Sequence, residues 1–406
     1  MKKFIFPFAL LLLSFCLFSQ IEKHEVLVTN VVVPVRVFEG ERFVDHLTIE
    51  DFELFENYEH QKIEALYLIR KTNIEREEAL KKFNPALTRH FYLIFQITDY
   101  NPRFAEASGH LFNQVLLPGD TLTIMTPMDT YALSKKALET KSKERLSSEL
   151  LSILRKDTKM GAANYRSLMN DLRRLVRSIS ASTQGAGGVN LGFESESITG
   201  GFDLETLLQR YQETLLKMEQ LRLVDETKFI RFAAQVKKQT GPKNVYFFYQ
   251  REFRPEITSD ILTKLTSLNQ DKPEIIGEVQ NLFQLYRRSV SFDVNKITTA
   301  FADSSLSFNL IFMHKEPENV SGIRMREQSE DMFSAFSQVA KATGGIIDSS
   351  QNPSYAFKNA AAISESYYLL YYSPKNYIKD GKFKTITVRT KNLDYKVTHR
   401  KGYYSN

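Results

Sequence analysis

Among 406 residues there is one cysteine, Cys16, and no tryptophan. Cys16 lies in a run that is apolar from Phe4 to Phe18, behind Met1-Lys2-Lys3 and ahead of Ser19-Gln20. A basic start, a short apolar core and a small residue near position 19 make a secretory signal of bacterial type, expected to span 1–19. A retained membrane anchor is the rival reading, but the run is short for a span. A lipoprotein signal wants a small residue before the cysteine, and Phe15 is not small. Once the leader is removed no cysteine remains. That excludes a disulfide framework, a thiol nucleophile and thiolate metal ligands, so stability must come from buried core.

Other absences narrow the function. No second long apolar run follows, so no transmembrane anchor is expected after signal removal. The formal net charge is +6, with Lys and Arg scattered among acids. Nucleic-acid binding needs a concentrated basic footprint and is not expected. The histidines at 24, 46, 60, 90, 110, 314 and 399 are dispersed; no His-Glu-x-x-His and no Gly-x-Ser-x-Gly occurs. Acid pairs such as Glu50-Asp51 and Glu330-Asp331 read as surface or helix-cap acids. Nothing supplies a nucleophile with its base, a paired acid and base, or a metal cluster, so the chain is not expected to be an enzyme. Aromatic side chains are plentiful, but they fall at strand positions with core periodicity and read as packing.

What is present is organised around His90-Phe91-Tyr92-Leu93-Ile94-Phe95-Gln96-Ile97. This run is too short for a membrane and too continuous for a half-exposed strand. It reads as a strand buried on both faces, inside a parallel sheet. Asp99, Asn101, Pro102 and Arg103 follow, where an open α/β sheet places its ligands. Thr121–Met125, Asn244–Tyr249 and Leu306–Met313 read as further strands, separated by helical stretches. Ser142–Leu154 has helical spacing. A second helix carries Tyr165, Leu168, Met169, Leu172, Leu175, Val176 and Ile179 opposite a solvated face of Arg166, Arg173, Arg174 and Arg177. A third starts near Leu204 and is drawn out toward Lys238; residues 258–301 are mostly helical. Ser180–Gly201 is Ser/Gly-rich, lacks the Lys-Ser or Lys-Thr of a phosphate loop, and reads as a flexible loop.

The two ends read as β-structure. Val26–Val37 is β-branched, and Pro34 within it argues for an edge or a bulge. Asp51–Glu56 and Gln61–Ile69 alternate, and Asn73–Lys82 reads as a charged linker or short helix. Tyr367–Tyr372 returns to β, and Lys384–Arg389 with Tyr395–His399 suggests a hairpin around Asn392. The expected architecture is a doubly wound, mostly parallel α/β unit over 86–355. It is inserted in a small β-sandwich built from 20–85 and 356–406.

Several segments together resemble the von Willebrand factor A-type domains of exported bacterial proteins. They are Leu47–Glu56 with Gln61-Lys62-Ile63, Gly119-Asp120, Gly241-Pro242-Lys243-Asn244, and Ala340–Gly345. The tail adds Tyr367–Pro374, Asp380–Phe383 and Arg400–Tyr404. The resemblance implies a module that binds partners through a Mg²⁺ ion. Such an ion is held by Asp-x-Ser-x-Ser after the first core strand, a Thr in a second loop and an Asp after the third core strand. Here Asp99 keeps the first carboxylate, Asn101 and Arg103 stand at the Ser positions, Gly161–Asn164 has no Thr, with Asn164 the nearest substitute, and Tyr249-Gln250-Arg251-Glu252 lacks the Asp. Arg103 and Arg251 would repel a divalent cation, which needs several oxygen ligands. Metal binding is therefore expected to be lost and no cofactor is expected, with Arg103 or Arg251 pairing with Asp99; the alternative is that these side chains fan into solvent. The functional expectation is an exported interaction or adhesion-type module, in the periplasm or at the cell surface, engaging a protein or envelope polymer at the crest of the sheet or through 180–201. The alternatives are a structural part of an envelope assembly and a hydrolase of envelope polymers.

Overall fold

The computed structural model describes residues 30–133, 135–183, 203–289, 291–319, 323–375 and 377–405. The leader and nearly all of 180–201 lie outside the described residues. The chain is mixed α/β with several sheets, one of them built of parallel strands flanked by helices.

The amino-terminal part is all β: β1 (Val31–Glu39), β2 (Arg42–Phe43), β3 (Phe52–Glu56), β4 (Glu59–Gln61), β5 (Ile63–Arg70) and β6 (Asn73–Ala79). The carboxyl-terminal part adds β15 (Ser366–Tyr372), β16 (Phe383–Thr390), β17 (Lys396–His399) and β18 (Gly402–Tyr404). One sheet runs β17-β1-β15-β5-β6, with β2 against β1; the other runs β18-β16-β3-β4. They close on a shared core that includes Val33, Val35, Leu54, Leu66, Tyr368, Leu370, Ile386 and Val388. Both ends of the chain thus build one two-sheet unit. Inside it, Glu56 accepts hydrogen bonds from the Tyr372 and Tyr403 hydroxyls at 2.6 and 2.9 Å.

Three expectations for this unit are corrected. Residues 73–79 form β6, an edge strand beside β5, not a linker or helix. Its charges (Asn-Ile-Glu-Arg-Glu-Glu-Ala) mimic a helix surface, but they also suit an unpaired edge that must not aggregate. β16 and β17 do not pair as a hairpin; β16 pairs β3 and β18, whereas β17 pairs β1. Pro34 sits in an interior strand, but β17 covers β1 only from Val35 to Phe38, so the proline's own flank is open on that side.

The central sheet contains β7 (His90–Gln96), β8 (Thr121–Met125), β9 (Thr130–Leu133), β10 (Lys243–Gln250), β12 (Leu306–Met313) and β14 (Ile347–Gln351). Its order is β14-β12-β10-β7-β8-β9, with only β9 antiparallel. Numbered along the chain within the sheet, that is 3-2-1-4-5-6, a doubly wound order. β7 lies in the interior between β8 and β10, parallel to both. Its continuous apolar run has a direct cause. Phe91, Leu93 and Phe95 face α1 (Phe104–His110), α3 (Lys143–Gly161) and α11 (Pro353–Glu365). Tyr92 faces the opposite layer of α6 (Glu226–Lys237), α9 (Val294–Asp303) and α10 (Glu330–Ala342). Each large side chain so buried contributes roughly 1.5–3 kcal/mol relative to exposure. A π-helical turn, Leu111–Val115, extends α1, and the short α2 (Lys135–Thr140) precedes α3. α11 packs Ala356, Phe357 and Ala360 on the sheet, so a boundary at 356 would cut a helix of the α/β unit.

The remaining elements form a cap of their own. α4 (Ala163–Ser182), α5 (Leu204–Gln220), α7 (Ser259–Leu268) and α8 (Pro273–Tyr286) share a core with the ribbon of β11 (Phe253–Ile257) and β13 (Ile323–Glu327). The Tyr211 hydroxyl ties it together, 2.7 Å from the Pro255 carbonyl and 2.8 Å from the Tyr286 hydroxyl. α5 ends at Gln220 instead of reaching Lys238, because Asp225 caps a new helix through Lys228 N. Among the described residues no helix is long and apolar enough to cross a membrane.

Candidate functional site

The carboxyl ends of β7, β10 and β12 converge at Gln96, Gln250 and Met313, and the chain leaves each strand in a loop. Gln250, the last residue of β10, is buried and holds the first loop in place. Its Oε1 accepts from Thr98 N at 3.0 Å, Asp99 N at 2.9 Å and Thr98 Oγ1 at 3.2 Å, and its Nε2 donates to Asp99 O at 3.3 Å. One amide side chain therefore sets the crest loop through four hydrogen bonds.

Asp99 does not pair with an arginine. Its Oδ2 lies 2.7 Å from Nζ of Lys315, which also donates to Thr98 Oγ1 at 2.8 Å. The same ammonium stands 4.9 Å from the Tyr165 ring centroid, a cation–π contact with α4. Arg251 turns away, its Nε 3.1 Å from Glu327 on β13 and its guanidinium over Phe312. Arg103 is exposed at the start of α1. Asn101 Oδ1 accepts from Arg103 N at 2.9 Å, so the amide closes a turn just ahead of α1. The expected second loop, 161–164, is a break of a single residue between α3 and α4, and Asn164 is exposed in the first turn of α4. Of the five residues picked from the sequence, only Asp99 enters the cleft at the crest.

That cleft holds about 120 Å³ between the crest and α4, lined among others by Asp99, Tyr165, Arg173, Lys315 and Glu318. It is room for roughly four waters, well short of a drug-sized ligand. Arg173, read as part of a solvated face, instead pairs with Glu318 at 2.6 Å on the cleft wall. A hard divalent cation needs several oxygen ligands. Of the carboxylates on the cleft, Asp99 is paired with Lys315 and Glu318 with Arg173, and among the described residues no group of three His, Cys, Asp or Glu could hold a metal. The residues present do not fit Mg²⁺.

Beside the crest lies a second charged assembly. Arg222, after α5, reaches Glu252 at 2.6 Å, Asp331 at 2.7 Å and the Gln328 carbonyl at 2.5 Å. Burial pushes the Glu252 carboxyl up, against the pull of Arg222. Asp331, read as a helix-cap acid, thus also joins α10 to the cap. Sequence reasoning missed Gln250, Lys315 and Arg222. The signal for Lys315 was its position just past Met313: it occupies the crest after β12, two strands from β7, as Asp99 does after β7.

No family model matches the chain, and no curated protein does. Among solved structures the chain is similar to the human COPII-coat protein Sec24c, at 6% sequence identity and a TM-score of 0.28. That match covers 79% of this chain and 44% of the Sec24c chain, so the chain spans less than half of that protein's length.

Proposed function

We propose that the chain is an exported, non-catalytic interaction module on a von Willebrand factor A-like scaffold, in which an internal ion pair has taken the place of the adhesion metal. The observation that supports this reading is the Lys315 ammonium 2.7 Å from Asp99, a positive charge beside the one carboxylate retained from the family pattern. The strand order, the antiparallel edge strand β9 and the segments that resemble the family support the scaffold. The leader-like start supports export to the periplasm or cell surface. Partner binding is then independent of metal and uses a protein or envelope polymer. A structural role through edge pairing is the weaker reading, because β6 carries alternating charges on its open edge.

The test is isothermal titration of the mature protein with Mg²⁺ and Mn²⁺, alongside capture of envelope components with and without EDTA. No saturable heat and EDTA-insensitive capture are expected. Saturable binding that Asp99→Ala abolishes would overturn the reading.

A further inference from the structure

A cavity of about 650 Å³ lies at the other end of the central sheet, where the amino ends of β10 and β12 meet the two-sheet unit. Its volume falls in the range of small-molecule sites. The aromatic rings of Tyr367, Tyr371 and Tyr403 supply part of the wall, and three buried cations line it: Arg36 from β1, Lys243 from β10 and Arg400 before β18.

All three cations are at least nine-tenths buried, and neutral oxygens orient each of them. Arg36 Nη1 donates to the Gly344 carbonyl at 3.2 Å and the Ser307 hydroxyl at 3.5 Å. Arg400 Nη2 donates to the Val32 carbonyl at 2.7 Å and Nη1 to that of Ala302 at 3.5 Å. Lys243 Nζ donates to the Ser304 carbonyl at 2.9 Å. Among the described residues none of the three has a carboxylate within ion-pair distance. The one acid on the wall, Asp303, is engaged with Lys237 at 2.7 Å and with Tyr404 N at 2.8 Å. Among the described residues Arg36 Nε, Arg400 Nε and the Tyr367 hydroxyl are buried without a hydrogen-bond partner. Burial lowers the pKa of both guanidinium groups and holds Lys243 at about 8, as expected where positive charge lacks its counter-charge.

Burying an unpaired charge costs far more than a surface contact returns, and folded proteins pair such charges or neutralise them. Here three cations from three separate strands and turns face one roomy, partly aromatic cavity. We infer that this cavity is a binding site for a small organic anion, one carboxylate or phosphate group held by Arg36, Lys243 and Arg400 with an aromatic or apolar body against the tyrosines. The site is independent of the crest, and its fate does not bear on the metal question there.

The test uses the mature protein and three probes: phenyl phosphate, inorganic phosphate and phenol. Titration calorimetry and the thermal midpoint are read in a buffer free of phosphate and carboxylate. Phenyl phosphate is expected to bind one to one and raise the midpoint, inorganic phosphate to bind at least tenfold more weakly, and phenol not to bind. Arg400→Met and Arg36→Met should each weaken phenyl phosphate binding tenfold or more. Lys243→Met guards against a folding failure of the arginine variants, since it removes a buried charge; it should keep the fold and weaken binding about tenfold. The inference is overturned if phenyl phosphate shows no saturable binding, if it binds Lys243→Met as it binds the native chain, or if inorganic phosphate binds equally well.

Discussion

Lys243 allows a quantitative check of how much unmatched charge the chain tolerates. Its ordinary pKa of 10.5 is lowered to about 8, by burial first and then by the Arg400 and Lys237 charges, with Asp303 opposing. A lysine whose folded pKa lies below its unfolded one penalises folding. The unfolded chain binds the proton more tightly, so the penalty is full below about pH 8 and is relieved as pH rises toward 10.5. The shift corresponds to about 3 kcal/mol at pH 7. By pH 9.5 the same linkage leaves about 1 kcal/mol, so the native chain should gain about 2 kcal/mol from this one group between those pH values. Lys243→Met removes the penalty and one hydrogen bond to the Ser304 carbonyl, itself worth about 1 kcal/mol. The variant is expected to be about 1–2 kcal/mol more stable than the native chain at pH 7 and to lose that advantage by pH 9.5. Urea unfolding at both pH values checks this, kept below pH 10 so that exposed tyrosines do not titrate. A variant less stable at pH 7, with the native pH slope, would refute the reasoning and place a counter-charge beside Lys243.

Gln250→Met should destabilise the fold by about 2–3 kcal/mol, because the Thr98 and Asp99 amides lose their shared acceptor; hydrogen exchange at those two amides should accelerate sharply. Arg222→Met leaves the Glu252 and Asp331 carboxylates without their cation and should cost about 3–5 kcal/mol by chemical unfolding, with partial recovery at low pH as the raised Glu252 carboxyl protonates. Gly241→Ala should cost more than about 2 kcal/mol in thermal or urea unfolding, since Gly241 has φ of +94° and a methyl group there would run into the Thr88 carbonyl.

The sequence was most readable where burial is complete. β7, β10 and β12 are apolar runs because both faces of the sheet are covered, and the runs give their positions to within a residue or two. The glycine stop after α10 was readable for a similar local reason: Gly344 has φ of +70°, and Thr343 Oγ1 caps the helix end. The short strands β9, β11, β13 and β14 were not readable, since four or five residues carry too little period to separate strand from loop. The amphipathic pattern found α4 and α5, but an apolar stripe does not say what it packs on, so the four-helix cap could not be told from the layers over the sheet. The candidate site was readable only in part. Asp99 could be placed because it follows a legible strand. Its partner Lys315 is 216 residues away and became visible only once β12 was known to run parallel to β10, with β7 on β10's other side. The wrong partner, Arg103, was the nearer cation in sequence, and its side chain points outward from the helix start.

The two-sheet unit has a bearing on how the molecule is made. Apart from the short β2, β1 is flanked among the described residues by β15 and β17, and Arg400 grips the Val32 carbonyl at a sequence separation of 368. The strands before residue 80 therefore emerge with half a core exposed well before β15 to β18 follow them. Truncation of a few terminal residues should for that reason be felt at the opposite terminus before it is felt in the middle, and a chain released early would present β1 and β5 as open edges to whatever holds unfinished proteins in solution.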